Sequence, residues 1–322
     1  MTILVTGGAG FIGSHLVERL ISLEKEVAVI DNFNDFYCPS YKRENISSVI
    51  GNPRVILYET DILNTTSCRE VFEKHHFETV IHLAAQAGVR PSIEQPLLYE
   101  EVNCKGTLNL LELSRIYKVK QFVFGSSSSV YGNNKKVPFS EDDPVNEPIS
   151  PYAATKRACE LYCYNYHHLY RLPVACLRFF TVYGPRQRPD LAIRKFTELI
   201  DSDRPITLYG DGTTQRDYTF FSDIIDGIIS VLNTTVDFEI FNLGDSSPVQ
   251  LSRLIELIEC ELGKKARIDR LPEQPGDVKR TYADIRKAGR LLQYKPKVSI
   301  EQGVRLFVAW HTGRKQKQKT AR

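Results

Sequence analysis

The chain has 322 residues, of which 42% are hydrophobic and 25% charged, with a formal net charge of +3. These values are typical of a water-soluble globular protein that forms one large domain or two smaller ones. Five basic residues lie in the last eleven positions, 312–322, so the rest of the chain has a net charge of about −2. This balance excludes the basic surface of a nucleic-acid-binding protein, and we expect the basic end at 312–322 to be a disordered tail.

Cysteine and histidine patterns give no sign of a disulfide framework or a metal site. The seven cysteines are an odd number without a CxxC pair, and the seven histidines form no HExxH motif. No stretch reaches the roughly 18 apolar residues of a membrane span, and no signal peptide precedes the first predicted strand. We therefore expect a cytoplasmic protein with free thiols, no metal ion and no membrane segment.

The N-terminal residues predict a strand, a glycine-rich turn and a helix. Thr2–Thr6 is apolar, and a helical pattern extends from the turn to Leu23. The glycines of the turn are spaced three and three, which departs from the GxGxxG fingerprint. The turn can still bind a dinucleotide as the fingerprint does, because its glycines allow close approach of the backbone and the helix N-terminus faces a pyrophosphate. The residues expected there are Gly7, Gly10, Phe11, Ile12 and Gly13.

The second predicted strand, at 26–30, ends at an acidic residue, Asp31. This carboxylate follows Gly10 by 21 residues, the separation at which an acid binds the ribose diol of adenosine. An acid there also repels a 2′-phosphate, so the sequence predicts NAD rather than NADP, with Asn32 in the same pocket. The alternative is an aspartate that only closes a turn at the strand end.

Later segments continue the alternation of strands and helices. Further strands are predicted at 54–59, 78–83, 120–125, 173–178 and 239–243, with a helix at 221–232. This order predicts an α/β fold with a doubly wound parallel sheet of the Rossmann type. Residues at the ends of two of the strands are expected to contact the cofactor, the first pair as an adenine contact and the two alanines because small side chains suit a flat ring system. These residues are Asp61, Ile62, Leu83, Ala84 and Ala85.

The composition changes from Val182, where prolines, arginines and short apolar stretches follow one another. We predict an NAD-binding domain formed by 1–182 and about 219–245. A smaller, discontinuous C-terminal substrate domain is then formed by about 183–218 and 246–311.

The segment SPYAATK at 150–156 predicts a helix start that carries a catalytic pair. Ser150 suits the N-cap and Pro151 the first helical position. Tyr152 and Lys156 then lie four residues apart on one face. An ammonium beside a phenol lowers the tyrosine pKa from about 10, which favours a base able to deprotonate a sugar alcohol. Taken alone, the YxxxK spacing is more often two surface residues of an amphipathic helix.

Together the glycine turn, Asp31, the serine cluster at 126–129 and YxxxK resemble the extended short-chain dehydrogenase/reductase superfamily of nucleotide-sugar enzymes, over nearly the whole chain. The similarity extends to the family of UDP-glucuronate 4-epimerases. It is carried by DNFNDFY at 31–37, HLAAQAGVRPS at 82–92, SSSSVYGNNKKVPFSEDDPV at 126–145, SPYAATK and RFFTVYGPRQRPD at 178–190.

This resemblance implies tightly bound NAD and a catalytic set of Ser127, Tyr152 and Lys156. Tyr152 would remove the O4 proton of a UDP-sugar while C4 passes a hydride to NAD⁺. The 4-keto sugar would then turn about its link to the diphosphate, and the hydride would return to its opposite face. Ser127 would bridge the sugar O4 and the tyrosine oxygen. Lys156 would also bind the nicotinamide ribose, Tyr152 would contact the cofactor as well, and Asn103 would support the cofactor site.

The resemblance also implies a sugar pocket. Thr181 and Arg188 match the pair that holds the uronate carboxylate, although Arg188 is alternatively a diphosphate contact or a solvated charge. The pattern is broken at Arg186-Gln187, where many glucuronate epimerases have Trp-Gly, and at Pro91, where they often have tyrosine. The other residues expected to contact the substrate are Gly88, Val89, Arg90, Ser127, Ser128, Tyr152, Tyr209, Arg216 and Arg280.

Several alternatives stay open at this point. The first alternative is a UDP-glucose or UDP-N-acetylglucosamine 4-epimerase, although UDP-glucose epimerases usually have asparagine at the position of Thr181. Related dehydratases carry Asp-Glu where this chain has Ser128 and Ser129, and decarboxylases usually carry Glu at the second of these. A non-catalytic NAD-binding sensor is least expected, because the catalytic set is complete. The resemblance further implies a homodimer through helices at about 94–118 and 151–170.

Overall fold

The computed structural model describes residues 2–272 and 278–320. Its strands are β1 (Thr2–Thr6), β2 (Glu26–Asp31), β3 (Val55–Glu59), β4 (Thr79–His82), β5 (Gln121–Ser127), β6 (Val174–Phe179), β7 (Thr181–Tyr183), β8 (Ile206–Tyr209), β9 (Gln215–Phe220), β10 (Phe238–Leu243), β11 (Pro248–Gln250) and β12 (Ile268–Leu271).

The helices alternate with these strands. They are α1 (Phe11–Ser22), α2 (Pro39–Ile46), α3 (Thr65–Lys74), α4 (Val89–Glu94), α5 (Pro96–Tyr99), α6 (Gly106–Ile116), α7 (Pro151–Tyr170), α8 (Ala192–Asp201), α9 (Phe221–Leu232), α10 (Leu251–Leu262), α11 (Arg286–Leu292) and α12 (Ile300–Thr320). A π-helical turn at Glu100–Lys105 joins α5 to α6, and a 3₁₀ turn at Ser128–Tyr131 follows β5.

The main sheet has seven strands in the order β10-β6-β5-β4-β1-β2-β3, and its pairs are parallel. Both of its faces are covered, which explains why its central strands are continuous apolar stretches without alternation. One core lies between the sheet and α1, α9 and α11, and a second lies between the sheet and α3, α6 and α7. This arrangement confirms the predicted doubly wound α/β fold.

Strand order reverses between β1 and β4, at the centre of the main sheet. The chain leaves β1 toward β2 and β3 on one side and continues from β4 toward β5 on the other. In open parallel sheets such a reversal leaves a crevice at the carboxyl ends of the strands, where ligands bind. The fold therefore predicts the position of a binding cleft.

The remaining strands form two small sheets, β11-β9-β7 and β12-β8, and a third core packs under α8, α10 and α12. In the segment at about 219–245, α9 packs on the main sheet and β10 pairs with β6. The expected extent of the substrate domain differs at α11. Its Ala288 and Leu292 are buried in the core that contains Ile228. A short amphipathic helix does not reveal from its own pattern which of two cores it covers.

The predicted disordered tail is wrong for the described residues, because α12 continues to Thr320. The guanidinium of Arg314 donates to both carboxylate oxygens of Glu44 and stacks 4.5 Å from the Tyr41 ring, so Arg314 docks on α2. Residues 321–322 lie outside the described residues. Among the helices described, none is long and apolar enough to cross a membrane.

Candidate functional site

A long cleft of about 440 Å³ opens at the carboxyl ends of β1, β2, β4 and β5, where the strand order reverses. This volume is typical of a small-molecule site. All the predicted contacts of the cofactor except Asn103 line it. They are Gly7, Gly10, Phe11, Ile12, Gly13, Asp31, Asn32, Asp61, Ile62, Leu83, Ala84, Ala85, Tyr152 and Lys156.

The glycine turn leaves backbone donors open to the cleft. Gly7 has a φ of +70°, and a Cβ at Gly13 would overlap the carbonyl oxygen of Gly7, so neither position tolerates a side chain. Gly10 is the N-cap of α1 and has no side chain with which to cap it. The first N–H groups of a helix lack partners within the helix, and here they face a cleft. This arrangement suits the pyrophosphate of a dinucleotide.

Asp31 lies at the end of β2, beside the turn. Its Oδ2 accepts the Ala9 N–H at 3.0 Å and its Oδ1 accepts the Phe33 N–H at 2.9 Å. Burial raises the pKa of this carboxyl, while the nearby Lys42 ammonium and these two bonds oppose the rise. Each oxygen keeps a second lone pair for a ribose hydroxyl. The side-chain amide of Asn32 donates to Asp61 at 2.7 Å.

A buried network supports the floor of the cleft behind β4. The Thr107 hydroxyl donates to the Asn103 carbonyl at 2.5 Å, so it accepts from His82 Nε2 at 3.0 Å. His82 Nδ1 then accepts from the Thr6 hydroxyl at 2.7 Å, whose oxygen accepts the Ala84 N–H. Burial lowers the His82 pKa to about 3, so the ring is neutral. The network joins β1, β4 and α6 through one fixed tautomer.

Asn103 lies in the π-helical turn rather than in the cleft wall. Its side chain accepts the Gln86 N–H at 2.8 Å and donates to the Gln86 carbonyl and to the Thr155 hydroxyl, both at 3.0 Å. It therefore ties the segment after β4 to α7. Turns of this kind are frequent at functional sites, and here the turn places one amide against two elements of the cleft.

Tyr152 and Lys156 both line the cleft from the first turns of α7. The Lys156 ammonium is buried and donates to the Gly125 carbonyl at 2.7 Å, and it lies 4.8 Å from the centre of the Phe124 ring. The Tyr152 ring meets Tyr99 edge to face, with centroids 6.3 Å apart. The lysine is thus anchored to β5, and the tyrosine is packed against α5.

The serine cluster at the end of β5 completes this wall. The Ser127 Oγ accepts the Ser129 N–H at 3.1 Å and donates to the Ser129 Oγ at 3.2 Å, while Ser127 caps the 3₁₀ turn. Ser127 and Ser128 line the cleft together with Tyr152. The geometry brings the three predicted catalytic side chains to one wall.

The predicted sugar contacts divide into two groups. Gly88, Val89, Thr181 and Arg188 line the cleft. Arg188 Nε and Nη2 donate to the two carboxylate oxygens of Asp190 at 3.0 and 2.8 Å. Burial disfavours the charged form of Arg188, but Asp190 outweighs it and raises the pKa of the guanidinium.

The second group of predicted sugar contacts lies outside the described lining of this cleft. Arg90 stacks 4.5 Å above the Tyr209 ring, and Arg280 is opposite Gln215, the neighbour of Arg216 in β9. These four residues stay predictions for the uridine and diphosphate end of the substrate.

Beyond Asn32, sequence reasoning missed the residues that the loop between β2 and α2, and α2 itself, contribute to the cleft lining. They are Asn34, Phe36, Tyr37 and Lys42. Lys42 Nζ donates to the Asn34 side chain at 2.6 Å. The Tyr37 hydroxyl is buried without a hydrogen-bond partner among the described residues, and burial raises its pKa to about 12. The signal available was the DNFNDFY stretch, but it gives no side-chain direction.

A buried ion pair behind the serine cluster was also missed. Arg178 Nε and Nη2 donate to the two oxygens of Glu160, both at 2.9 Å, and the Ser126 hydroxyl donates to Glu160 at 2.7 Å. Arg178 outweighs the effect of burial and lowers the Glu160 pKa. The pair joins β6, β5 and α7, which carry the catalytic wall. Within the described part of the chain, no cluster of metal-ligating side chains was found.

Comparison with known proteins agrees with this geometry. A family model described as GDP-mannose 4,6 dehydratase matches residues 4–307. A UDP-glucuronate 4-epimerase of Thermodesulfobacterium geofontis is 44% identical over 308 residues, which cover 95% of each chain.

Solved structures are similar over the same length. The UDP-glucuronic acid 4-epimerase of Bacillus cereus, in complex with UDP-glucuronic acid and NAD, has a TM-score of 0.92 and 38% identity, covering 97% of this chain and 99% of its own. The UDP-glucose 4-epimerase of Thermotoga maritima, with UDP-glucose, has a TM-score of 0.90 and 35% identity, covering 98% and 99%. The chain therefore belongs to the family described as GDP-mannose 4,6 dehydratase, and it is a nucleotide-sugar epimerase of the extended short-chain dehydrogenase/reductase superfamily.

Proposed function

We propose that this protein is an NAD-dependent UDP-sugar 4-epimerase whose main substrate is UDP-glucuronate. The observation that carries the proposal is that Arg188 lines the same cleft as Tyr152 and the glycine turn. One cleft therefore combines a dinucleotide end, a base for a sugar hydroxyl and a guanidinium for a carboxylate.

The cleft fits NAD in three respects. The uncapped N-terminus of α1 offers donors to a pyrophosphate, and Asp31 offers acceptors to a ribose diol. The unpaired Tyr37 hydroxyl gives a bound molecule a buried polar partner. NAD bound by these residues would supply a reversible hydride acceptor for C4 of the sugar, so no external oxidant would be consumed.

The side chains of the catalytic wall transfer the proton of the sugar hydroxyl. Tyr152 takes the O4 proton as the hydride leaves and returns it when the hydride comes back. The Lys156 ammonium, one helical turn from Tyr152, is anchored to the Gly125 carbonyl in the same wall. Ser127, held by Ser129, donates to or accepts from the sugar O4 and keeps it within reach of the tyrosine. No acid or base stands at Ser128 and Ser129, which does not suit dehydration.

Arg188 and Thr181 bind the C6 carboxylate. A guanidinium presents a planar fork that matches a carboxylate in geometry and charge. The carboxylate of the 4-keto sugar is β to a ketone, and such acids lose CO₂ when the C5–C6 bond stands perpendicular to the carbonyl plane. Holding the carboxylate away from this orientation lets the hydride return first.

A UDP-glucose 4-epimerase is the second candidate. It is favoured by the Asp190 carboxylate, which already neutralises Arg188, and by the departures at Arg186-Gln187 and Pro91. The T. maritima protein of similar structure is an enzyme of this kind.

Incubation with single UDP-sugars tests the proposal. The purified protein, without added cofactor, is given UDP-glucuronate, UDP-glucose or UDP-N-acetylglucosamine, and the products are identified by NMR. We expect UDP-galacturonate from UDP-glucuronate at the highest kcat/KM. A higher value for UDP-glucose favours the second candidate, and unchanged sugars throughout favour a non-catalytic NAD-binding protein.

We also propose a homodimer through α7 and the helical segment from α5 to α6, at about 94–118. Leu161, Tyr164 and Leu169 on α7 are about half exposed, and Leu97 on α5 is 82% exposed. A second copy of the chain would cover these side chains. Light scattering should show a dimer that Leu161→Glu dissociates. A cytoplasmic location is supported by the seven free cysteines, because reducing compartments keep thiols unpaired.

A further inference from the structure

The fork of Arg188 is paired within its own loop before any sugar arrives. Its Nε and Nη2 donate to the two oxygens of Asp190, two residues further along. The Leu191 N–H donates to the Arg188 carbonyl at 3.2 Å and closes the loop into a turn. The pairing is therefore local and needs no bound ligand to form.

Asp190 uses only one edge of the guanidinium. An arginine has five N–H donors, and its two nitrogen-pair edges can each bind a carboxylate. Over the described residues, Arg188 Nη1 donates to no other group, so the edge formed by Nη1 and Nη2 remains for a ligand. The two carboxylates can bind the same guanidinium at once.

The two residues also differ in their relation to the cleft. Arg188 lines it with a side chain that is 18% exposed, whereas Asp190, 39% exposed, is not among the described lining residues. The ring of Phe36 lies 5.2 Å from the guanidinium and helps hold it in the cleft wall. Asp190 thus stands behind Arg188 and acts on the sugar only through it.

This arrangement has opposite effects on charged and neutral sugars. A guanidinium that lost water without gaining a partner would be costly, so an unpaired Arg188 would disfavour a sugar with a hydroxymethyl group at C6. Asp190 removes that cost. For a uronate, however, Asp190 places a second negative charge on the same guanidinium and weakens the attraction for the first.

We propose that Asp190 is a specificity-determining residue that broadens the substrate range by neutralising Arg188 from outside the cleft. The inference rests on the proposed function. It predicts that removing the Asp190 carboxylate increases the preference for UDP-glucuronate over UDP-glucose. Loss of a merely structural pairing would instead weaken the binding of both sugars equally.

The test compares wild type with Asp190→Asn and Asp190→Ser in the NAD-loaded enzyme. The measured quantities are the KM for UDP-glucuronate and the inhibition constant of UDP-glucose as its competitor. The ratio of the UDP-glucose inhibition constant to the UDP-glucuronate KM should rise about fivefold in both variants, the upper end of what one exposed charge pair contributes. Asp142→Asn, which changes an exposed carboxylate away from the cleft, should leave the ratio within about twofold.

A ratio that stays within about twofold of wild type in both variants, or that falls, overturns the proposal. Thermal unfolding and NAD content of each variant show whether it is folded and loaded. Failure of the proposed function is seen separately, because wild type would then leave UDP-glucuronate unchanged before any variant is made.

Discussion

Replacing Arg188 by alanine should weaken binding of UDP-glucuronate far more than binding of a neutral sugar. The change removes the unoccupied guanidinium edge from the cleft wall and leaves Asp190 without its partner. Hydrogen bonds to charged groups contribute about 1.5–3 kcal/mol, which corresponds to roughly 10- to 150-fold in KM. The exposed carboxylate of Asp190 adds repulsion, so we expect the upper half of this range.

The same variant should also release part of its turnovers as CO₂. Without Arg188, the ring of the 4-keto sugar is free to adopt a conformation in which the C5–C6 bond stands perpendicular to the carbonyl plane, from which decarboxylation is fast. The products would be a UDP-4-keto-pentose in solution and reduced nicotinamide retained on the protein. Mass spectrometry of the sugar nucleotides detects the UDP-4-keto-pentose, and the absorbance of the protein detects the reduced nicotinamide.

Arg286→Ala is the matched control. Arg286 also pairs bidentately with an aspartate two residues away, Asp284, but its side chain is 87% exposed and does not line the cleft. Its removal should change neither KM nor products. If Arg188→Ala epimerises UDP-glucuronate with the KM of wild type and yields no decarboxylated sugar, the role given to Arg188 is wrong.

Three further changes test other parts of the molecule. Tyr152→Phe should lower kcat by at least about 10²–10⁴-fold with little change in NAD content, whereas Tyr162→Phe on the same helix should not, and a rate near wild type would remove Tyr152 from the mechanism. Asp31→Ala should lose NAD during purification, measured as nucleotide released on denaturation, and full retention would contradict the ribose role. Burial, and then the charges of Asp217 and Asp223, raise the pKa of Asp245 to about 7 from 3.8. Between these pH values the folded state binds more protons than the unfolded state, so the free energy of unfolding falls as the pH rises through them. Asp245→Asn should therefore unfold at a higher temperature than wild type above pH 7 and at the same temperature below pH 3.8, and a pH-independent difference would refute this cause.

The parts of the molecule that were predictable from sequence are those set by short spacings. The glycine turn requires particular backbone angles, so its residues identify the end of β1 and the start of α1. Ser150 and Pro151 predict the start of α7, and that start places Tyr152 and Lys156 on one wall. Such features depend on a few consecutive residues, and the parallel sheet brings them to one edge.

The parts that were not predictable depend on contacts between distant segments. Tyr37 in the loop after β2 and Lys42 in α2 line the cleft because this segment packs beside it, and no local pattern encodes that placement. The charge of the tail led us to expect disorder, yet Arg314 forms an ion pair with Glu44 on α2, 270 positions earlier. A basic composition does not show whether an acidic partner lies within reach.

Transfer of a hydride within one sugar is the central claim, and an isotope label tests it most directly. UDP-glucuronate deuterated at C4 is incubated with the purified protein, without added cofactor, and the product is examined by NMR and mass spectrometry. We predict UDP-galacturonate that keeps deuterium at C4 with the configuration inverted. A product that carries ordinary hydrogen at C4, or that is inverted at a different carbon, would contradict the proposed mechanism.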